Sequence, residues 1–388
     1  MKRTIRNLFR NLRLMDKPLL IVSATLIIFG LFNIVTASSR EAVSIDAPLY
    51  YYFFKHGEML IIGLIIGFVI INTESKYYKP IVTILYIVLG ICLFYLTFYG
   101  VSNRGAKNWL SIGPITFQPS ELIKPVIIVA LALLYEKYYN FFRNKNENHY
   151  SKIGLIFFIG LSLAGLIFLQ KDLGTMSIIA IIFIVMFLGS PILKIEKIRI
   201  IGLFCILFVV IVIMLLSGVK LLSEAQMERF DYFNPCTKYE TSGYQICNGF
   251  IAINDGGLFG LGIGKSKQKY SYIPEPHTDS IFAIFVEEYG LIISFFVFVI
   301  YGLILWRILE ISSHASTLRG RYICLGVATY LFAHIFINLG GLFGLIPLTG
   351  VPLPFLSYGG SFLISAVASL CLVQRVSIET KLNKNVEY

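Results

Sequence analysis

The residues best suited to chemistry lie in a few short, charged stretches. Asp279 closes the run Tyr270-Ser271-Tyr272-Ile273-Pro274-Glu275-Pro276-His277-Thr278-Asp279, behind the alternating Lys265, Lys267 and Lys269. Its carboxylate suits the cap of the apolar segment that follows and equally a catalyst, and one group can hold both roles. Arg104 and Lys107 flank Trp109 within Asn103-Arg104-Gly105-Ala106-Lys107-Asn108-Trp109-Leu110. An interfacial aromatic reads first as an anchor; beside two cations, holding a sugar-phosphate head group is the other reading. Glu121 and Lys124 stand one helical turn apart in Gln118-Pro119-Ser120-Glu121-Leu122-Ile123-Lys124-Pro125, a spacing that pairs them on one face. A structural ion pair and a contact to substrate are both open for them. Asp172, in Gln170-Lys171-Asp172-Leu173-Gly174-Thr175, suits an N-cap. Glu287 and Glu288 follow Asp279 at two turns, and Glu288 is expected to pair internally. No HExxH, CxxC or clustered His/Cys pattern occurs, so no structural metal site is indicated.

The elements that must position these groups are membrane helices. Of 388 residues, 56% are hydrophobic and only 14% charged, too few charges to cover a soluble surface. About ten apolar stretches approach the roughly 20 residues needed to span a bilayer. They lie near 18–38, 57–73, 80–100, 119–136, 153–170, 173–191, 199–218, 280–306, 321–346 and 357–377. The expected fold is an all-α integral membrane protein, a single polytopic domain over 1–388. The net charge of +11 does not point to nucleic acid. Its cations concentrate in alternate segments, including the basic stretch 1–17 and the tail 378–388, which places both termini in the cytoplasm. The first apolar run is long for a cleaved signal and reads as a retained helix.

One connection is unusually long, the extracytoplasmic loop 218–278 between the seventh and eighth helices. Loops of this length are commonly functional or partly folded. Leu221 to Phe233 reads as amphipathic and suited to the interface. Cys236 and Cys247 fall in the same loop, where an oxidising compartment permits a disulfide; the other four cysteines sit in apolar helices. A second irregular segment, 344–360, carries three prolines near membrane depth, where such backbone must be buried by protein or solvated in a cavity. An ionisable group in the bilayer centre costs about 2.5–3.5 kcal/mol and so usually has a partner or a task. Asp279 ends the long outer loop, follows the lysines and lies at the membrane boundary, where a lipid-linked substrate presents its head group.

Taken together these motifs resemble the SEDS family of shape, elongation, division and sporulation proteins. The resemblance rests on Arg104-Gly105-Ala106-Lys107-Asn108-Trp109, Phe117 to Lys124, Asp172-Leu173-Gly174-Thr175, Gly243-Tyr244-Gln245, Pro274 to Asp279, and Pro352-Leu353-Pro354-Phe355-Leu356-Ser357-Tyr358-Gly359-Gly360-Ser361. Lys171 and Phe362 depart from the proline and serine the family commonly has there. Asp16-Lys17-Pro18, Phe53-Phe54-Lys55 and Gln268-Lys269-Tyr270 are more like the division and sporulation branch than the elongation branch. The resemblance implies a peptidoglycan glycosyltransferase in the bacterial cytoplasmic membrane, polymerising lipid II on its outer face for septal wall synthesis. Asp279 is then the proposed general base. Trp109, Arg104, Lys107, Glu121, Lys124, Lys265, Lys267, Lys269, His277 and Ser357 are the candidate substrate contacts. No cofactor is implied, although a divalent cation is a further candidate to offset pyrophosphate charge. The partners implied are lipid II, the nascent glycan strand, a class B penicillin-binding protein and other division or elongation proteins. Two other classes fit parts of the pattern: a lipid II flippase, given the intramembrane charges, and a scaffold that only recruits the transpeptidase.

Overall fold

The computed structural model describes residues 10–100, 107–113, 115–217, 235–238, 243–271, 273 and 276–384. Among these residues are ten helices of 17 or more residues: α1 (Lys17–Ala37), α2 (Tyr51–Asn72), α3 (Tyr78–Tyr99), α4 (Pro119–Lys137), α5 (Tyr150–Leu169), α6 (Leu173–Gly189), α7 (Lys194–Leu216), α8 (Ile281–Ser313), α9 (Leu318–Leu342) and α10 (Gly360–Lys384). By length and composition seven are able to cross a membrane: α1, α2, α3, α5, α8, α9 and α10. The apolar α6 is shorter, and α4 carries the charged Glu121 and Lys124 near its start. One departure from an all-helical chain is a small antiparallel hairpin ahead of α4, β1 (Leu110–Ile112) with β2 (Ile115–Phe117). Gly113, at φ +60°, lies in its turn.

The helix most fully buried is α10, which packs along α2. Gly63 and Gly67 make that contact close: a β-carbon on Gly67 would lie 2.4 Å from Cys371 Sγ. In lipid, helices gain little from hiding apolar surface, so such small-residue contacts carry their association. Polar side chains add to it. Ser365 Oγ donates to the Glu121 carbonyl at 2.9 Å, tying α10 to α4. At the opposite end Asp16 accepts from Arg307 at 3.0 and 2.7 Å. Gln374 exchanges hydrogen bonds with the Asp16 backbone at 2.7 and 3.0 Å. The start of α1 is thereby fastened to α8 and α10.

The eighth helix is not the continuous span that its apolar sequence predicts. At 33 residues it would measure about 50 Å as a straight helix, far beyond a hydrocarbon core of about 30 Å. It breaks at Gly290, with φ +82° and ψ 169°. The backbone groups freed there bond to the Gly-rich stretch of the long loop. Leu261 and Gly262 N–H donate to the Glu287 and Glu288 carbonyls (2.9 and 3.0 Å), and Leu291 and Ile292 N–H donate to the Gly257 and Leu258 carbonyls (2.9 and 3.2 Å). A β-carbon on Gly290 would lie 2.4 Å from the Leu258 carbonyl, so both the conformation and the approach require glycine.

The long loop is therefore substantially folded. It contains the helix Tyr244–Gly256 and the single turns Pro235–Lys238 and Gln268–Ser271, and a Cys236–Cys247 disulfide joins the first turn to the helix. The amphipathic stretch Leu221 to Phe233 lies outside the described residues, as do residues 1–9 and 385–388 of the termini.

Candidate active site

Asp279 sits in the turn just before α8. The helix begins at Ile281 with Ser280 at its cap position, so the aspartate is not the cap that the sequence suggests. Its Oδ1 instead accepts from Gln245 Nε2 at 3.1 Å, and the same amide reaches Ser280 Oγ at 2.9 Å. Its backbone carbonyl accepts from Asn338 Nδ2 at 2.8 Å, and that amide also donates to the Val351 carbonyl at 2.8 Å. Its Oδ2 lies toward Gly350, 3.9 Å from where a β-carbon would stand. The half-buried carboxylate is thus oriented by a neutral amide of the loop helix, and its backbone is held by one from α9. Two amides, Gln245 on the carboxylate and Asn338 on the backbone carbonyl, orient a base without building a metal cage. Among the described residues no group of three or more His, Cys, Asp or Glu could hold a metal ion.

The other motifs converge on the same end of the bundle. Asp172 caps α6 as expected, accepting from Thr175 N–H and Oγ1 at 3.0 Å each. Its Oδ2 also accepts from Asn108 at 3.0 Å and Gln118 at 3.1 Å. Ser361 Oγ accepts from the Gln118 N–H at 2.9 Å. Gly174 packs beneath Thr349 and Val351, and Tyr358 N–H donates to the His277 carbonyl at 2.8 Å. Segments far apart in the chain therefore meet around the proline-rich stretch 344–359.

The candidate contacts divide by burial. Lys265 and Lys267 are exposed, and Trp109 is 44% exposed. Lys107 is half-buried, its N–H donating to the Gln170 carbonyl at 3.3 Å. Arg104 lies outside the described residues. Lys269 does not continue the row of lysines: it turns inward, 1% exposed, and its Nζ donates to Glu288 at 2.7 Å and to the Gly264 carbonyl at 3.0 Å. All three lysines are candidate substrate contacts by sequence, but the short helix Gln268–Ser271 turns Lys269 into the protein. Ser357 is also buried. Its hydroxyl accepts from Leu353 N–H at 2.9 Å, closing a turn. His277 is packed against Tyr52 and Tyr358, with ring centroids 4.7 and 5.4 Å away. Glu121 and Lys124 pair at 2.6 Å with both side chains buried, which favours the structural reading of that pair.

Glu287, fully buried, accepts from Ser266 Oγ and from Lys267 N–H. Together with the Lys269–Glu288 pair it docks the loop onto the first half of α8. Lys269→Ala strands Glu288 inside and is expected to destabilise the protein by about 3 kcal/mol, the lower end for breaking a buried pair. Lys265→Ala and Lys267→Ala, on the surface, are expected to shift stability by no more than about 0.5 kcal/mol. Thermal unfolding in detergent distinguishes them.

Sequence reasoning passed over Gln245 as a site residue, although its motif was marked, and missed Asn338, His334 and Tyr52 altogether. Intramembrane amides and imidazoles in otherwise apolar helices were the available signal.

Residues 17–382 match the Cell cycle protein family of FtsW, RodA and SpoVE. Over 357 residues the chain is 33% identical to a Bacillus subtilis protein named "Probable peptidoglycan glycosyltransferase FtsW", covering 91% of this chain and 87% of the relative. It is also 33% identical over 377 residues to stage V sporulation protein E of the same organism, covering 93% and 97%. Among solved structures, a chain from a peptidoglycan synthase complex coordinating polymerization and crosslinking superposes with a TM-score of 0.75 at 23% identity, covering 94% of this chain and 98% of that one. The rod shape determining protein RodA of Thermus thermophilus superposes with a TM-score of 0.65 at 24% identity, covering 94% and 96%.

Proposed function

The chain belongs to the FtsW, RodA and SpoVE family, and we propose that it is the septal peptidoglycan glycosyltransferase that polymerises lipid II, with Asp279 as general base. It is a multi-pass protein of the bacterial cytoplasmic membrane. On this reading the ten long helices are ten spans with both termini in the cytoplasm, an arrangement that the uneven placement of cations supports. Asp279 and the folded loop then face outward.

The observation that carries the mechanism is the Asp279 carboxylate, fixed by Gln245 beside Gly350 where the family motifs converge. The growing strand, still attached to its lipid pyrophosphate, is the donor. The 4-hydroxyl of the GlcNAc on an incoming lipid II is the acceptor. Asp279 takes the hydroxyl proton as the oxygen attacks the donor's anomeric carbon, and the bond from that carbon to the pyrophosphate oxygen breaks. Lys265 and Lys267, with Arg104 and Lys107, offset the charge that develops on the departing pyrophosphate, and Trp109 lines the approach. Lys269, Ser357, Glu121 and Lys124 support the site from behind.

A class B penicillin-binding protein is the proposed partner, supported by the similarity to a chain of a synthase complex. The helix break at Gly290 is a feature shared with transporters. Here, however, the freed backbone bonds to the protein's own loop, which favours the enzyme over a flippase. The test is a lipid II polymerisation assay with the purified protein and its transpeptidase, run beside vesicles carrying labelled lipid II. Glycan strands longer than the substrate are expected. Translocation of label without strand growth would overturn the proposal in favour of a flippase.

A further inference from the structure

Two side chains one turn apart on α9 hold successive carbonyls of the proline-rich segment. Asn338, 2% exposed, spends both hydrogens of its amide nitrogen on carbonyls, those of Val351 and Asp279, at 2.8 Å each. His334, fully buried, places Nδ1 at 3.2 Å from the Pro352 carbonyl. A carbonyl only accepts, so Nδ1 carries the proton. Nε2 is then free to accept from Lys124 Nζ at 3.1 Å, and Lys124 also donates to Glu121. The buried ion pair thus fixes the tautomer that lets His334 grip the backbone.

From these contacts we infer that Asn338 is a positioning residue that sets Asp279 for proton removal, with His334 holding the next carbonyl of the same segment, an inference that rests on the assignment of Asp279 as base. Neither the turn 276–280 nor the segment 344–359 has a regular ladder of its own to hold it. The packed helix α9 supplies the rigid reference. Asn338 is where the two segments meet, and it joins the backbone of the proposed base to that of the residue following Gly350. A catalytic group on irregular backbone needs this kind of support, because a misplacement of about 1 Å can cost 10²-fold in rate.

The test compares Asn338→Ala and Asn338→Gln with wild type in lipid II polymerisation, with lipid II-binding stoichiometry counting competent molecules. Asn338→Ala is expected to lower kcat per binding-competent molecule by roughly 10-fold or more, with KM changed by less than about two-fold, because contacts to ground-state substrate persist. Asn338→Gln, which keeps the amide donors, is expected to restore most of that loss. Should Asn338→Ala fail to fold, Asn338→Ser retains one donor and is expected to show an intermediate loss. A kcat equal to wild type, or a loss fully matched by lost binding stoichiometry, overturns the inference. Asp279→Asn in the same assay separates the two claims. If that variant is active, the base assignment itself fails; if it is inactive while Asn338→Ala is normal, only the positioning role fails.

Discussion

Asp279→Asn is expected to lower lipid II polymerisation by about 10²–10⁴-fold, the range for loss of a positioned general base. Asparagine has nearly the same shape but no basic oxygen pair able to take the acceptor's proton. The anchoring contacts survive the change. Asn338 binds the backbone carbonyl of residue 279, which the substitution leaves in place, and Gln245 still meets an amide oxygen where it met the carboxylate. The variant should therefore fold, bind lipid II and fail at the chemical step. The measurement is initial rate against lipid II concentration, with unfolding temperature recorded alongside. A rate within a few-fold of wild type would show that another group takes the proton.

Lys124→Met is expected to destabilise the protein by about 3–5 kcal/mol, because it leaves the Glu121 carboxylate buried without its cation. Lys124 has no exposed surface, and its ammonium serves Glu121 at 2.6 Å and His334 at 3.1 Å. Burying a charge is tolerated only when it is paired and hydrogen-bonded. Replacing both partners, as Glu121→Gln with Lys124→Met, removes both charges and is expected to recover much of the stability. Recovery in the double variant is the sign of a structural pair. A substrate contact would behave differently, with Lys124→Met raising KM while leaving the unfolding temperature near wild type. Unfolding curves of the two single variants and the double variant, run with kinetics, decide between these roles.

Motif order in the chain marked most of the pieces of the site, and Asp172 met its expected role as a cap. Local pattern is a poor guide where it must stand in for direction. Lys265, Lys267 and Lys269 are all candidate substrate contacts by sequence, yet one turn of helix buries the third against Glu288. Asp279 looked like a cap because it precedes an apolar run, but the helix starts later and its carboxylate turns to Gln245. The single apolar stretch 280–306 hid a break, since Gly290 in such a run is compatible with plain helix until a neighbouring strand of loop approaches it.

Asp279 bonds to partners 34 and 59 residues away, and no periodicity in a sequence encodes contacts at such separations. What the sequence by itself determined is the membrane class and the run of apolar helices, and it marked the candidate acid and cations. These follow from composition and from short-range spacing, which physical chemistry translates directly into burial and charge cost. Only the tertiary structure decided which amides orient the acid, which lysine is spent on an internal pair and how the long loop completes a broken helix. Those outcomes depend on the directions in which helices present their side chains to one another, and packing sets those directions after the helices have formed.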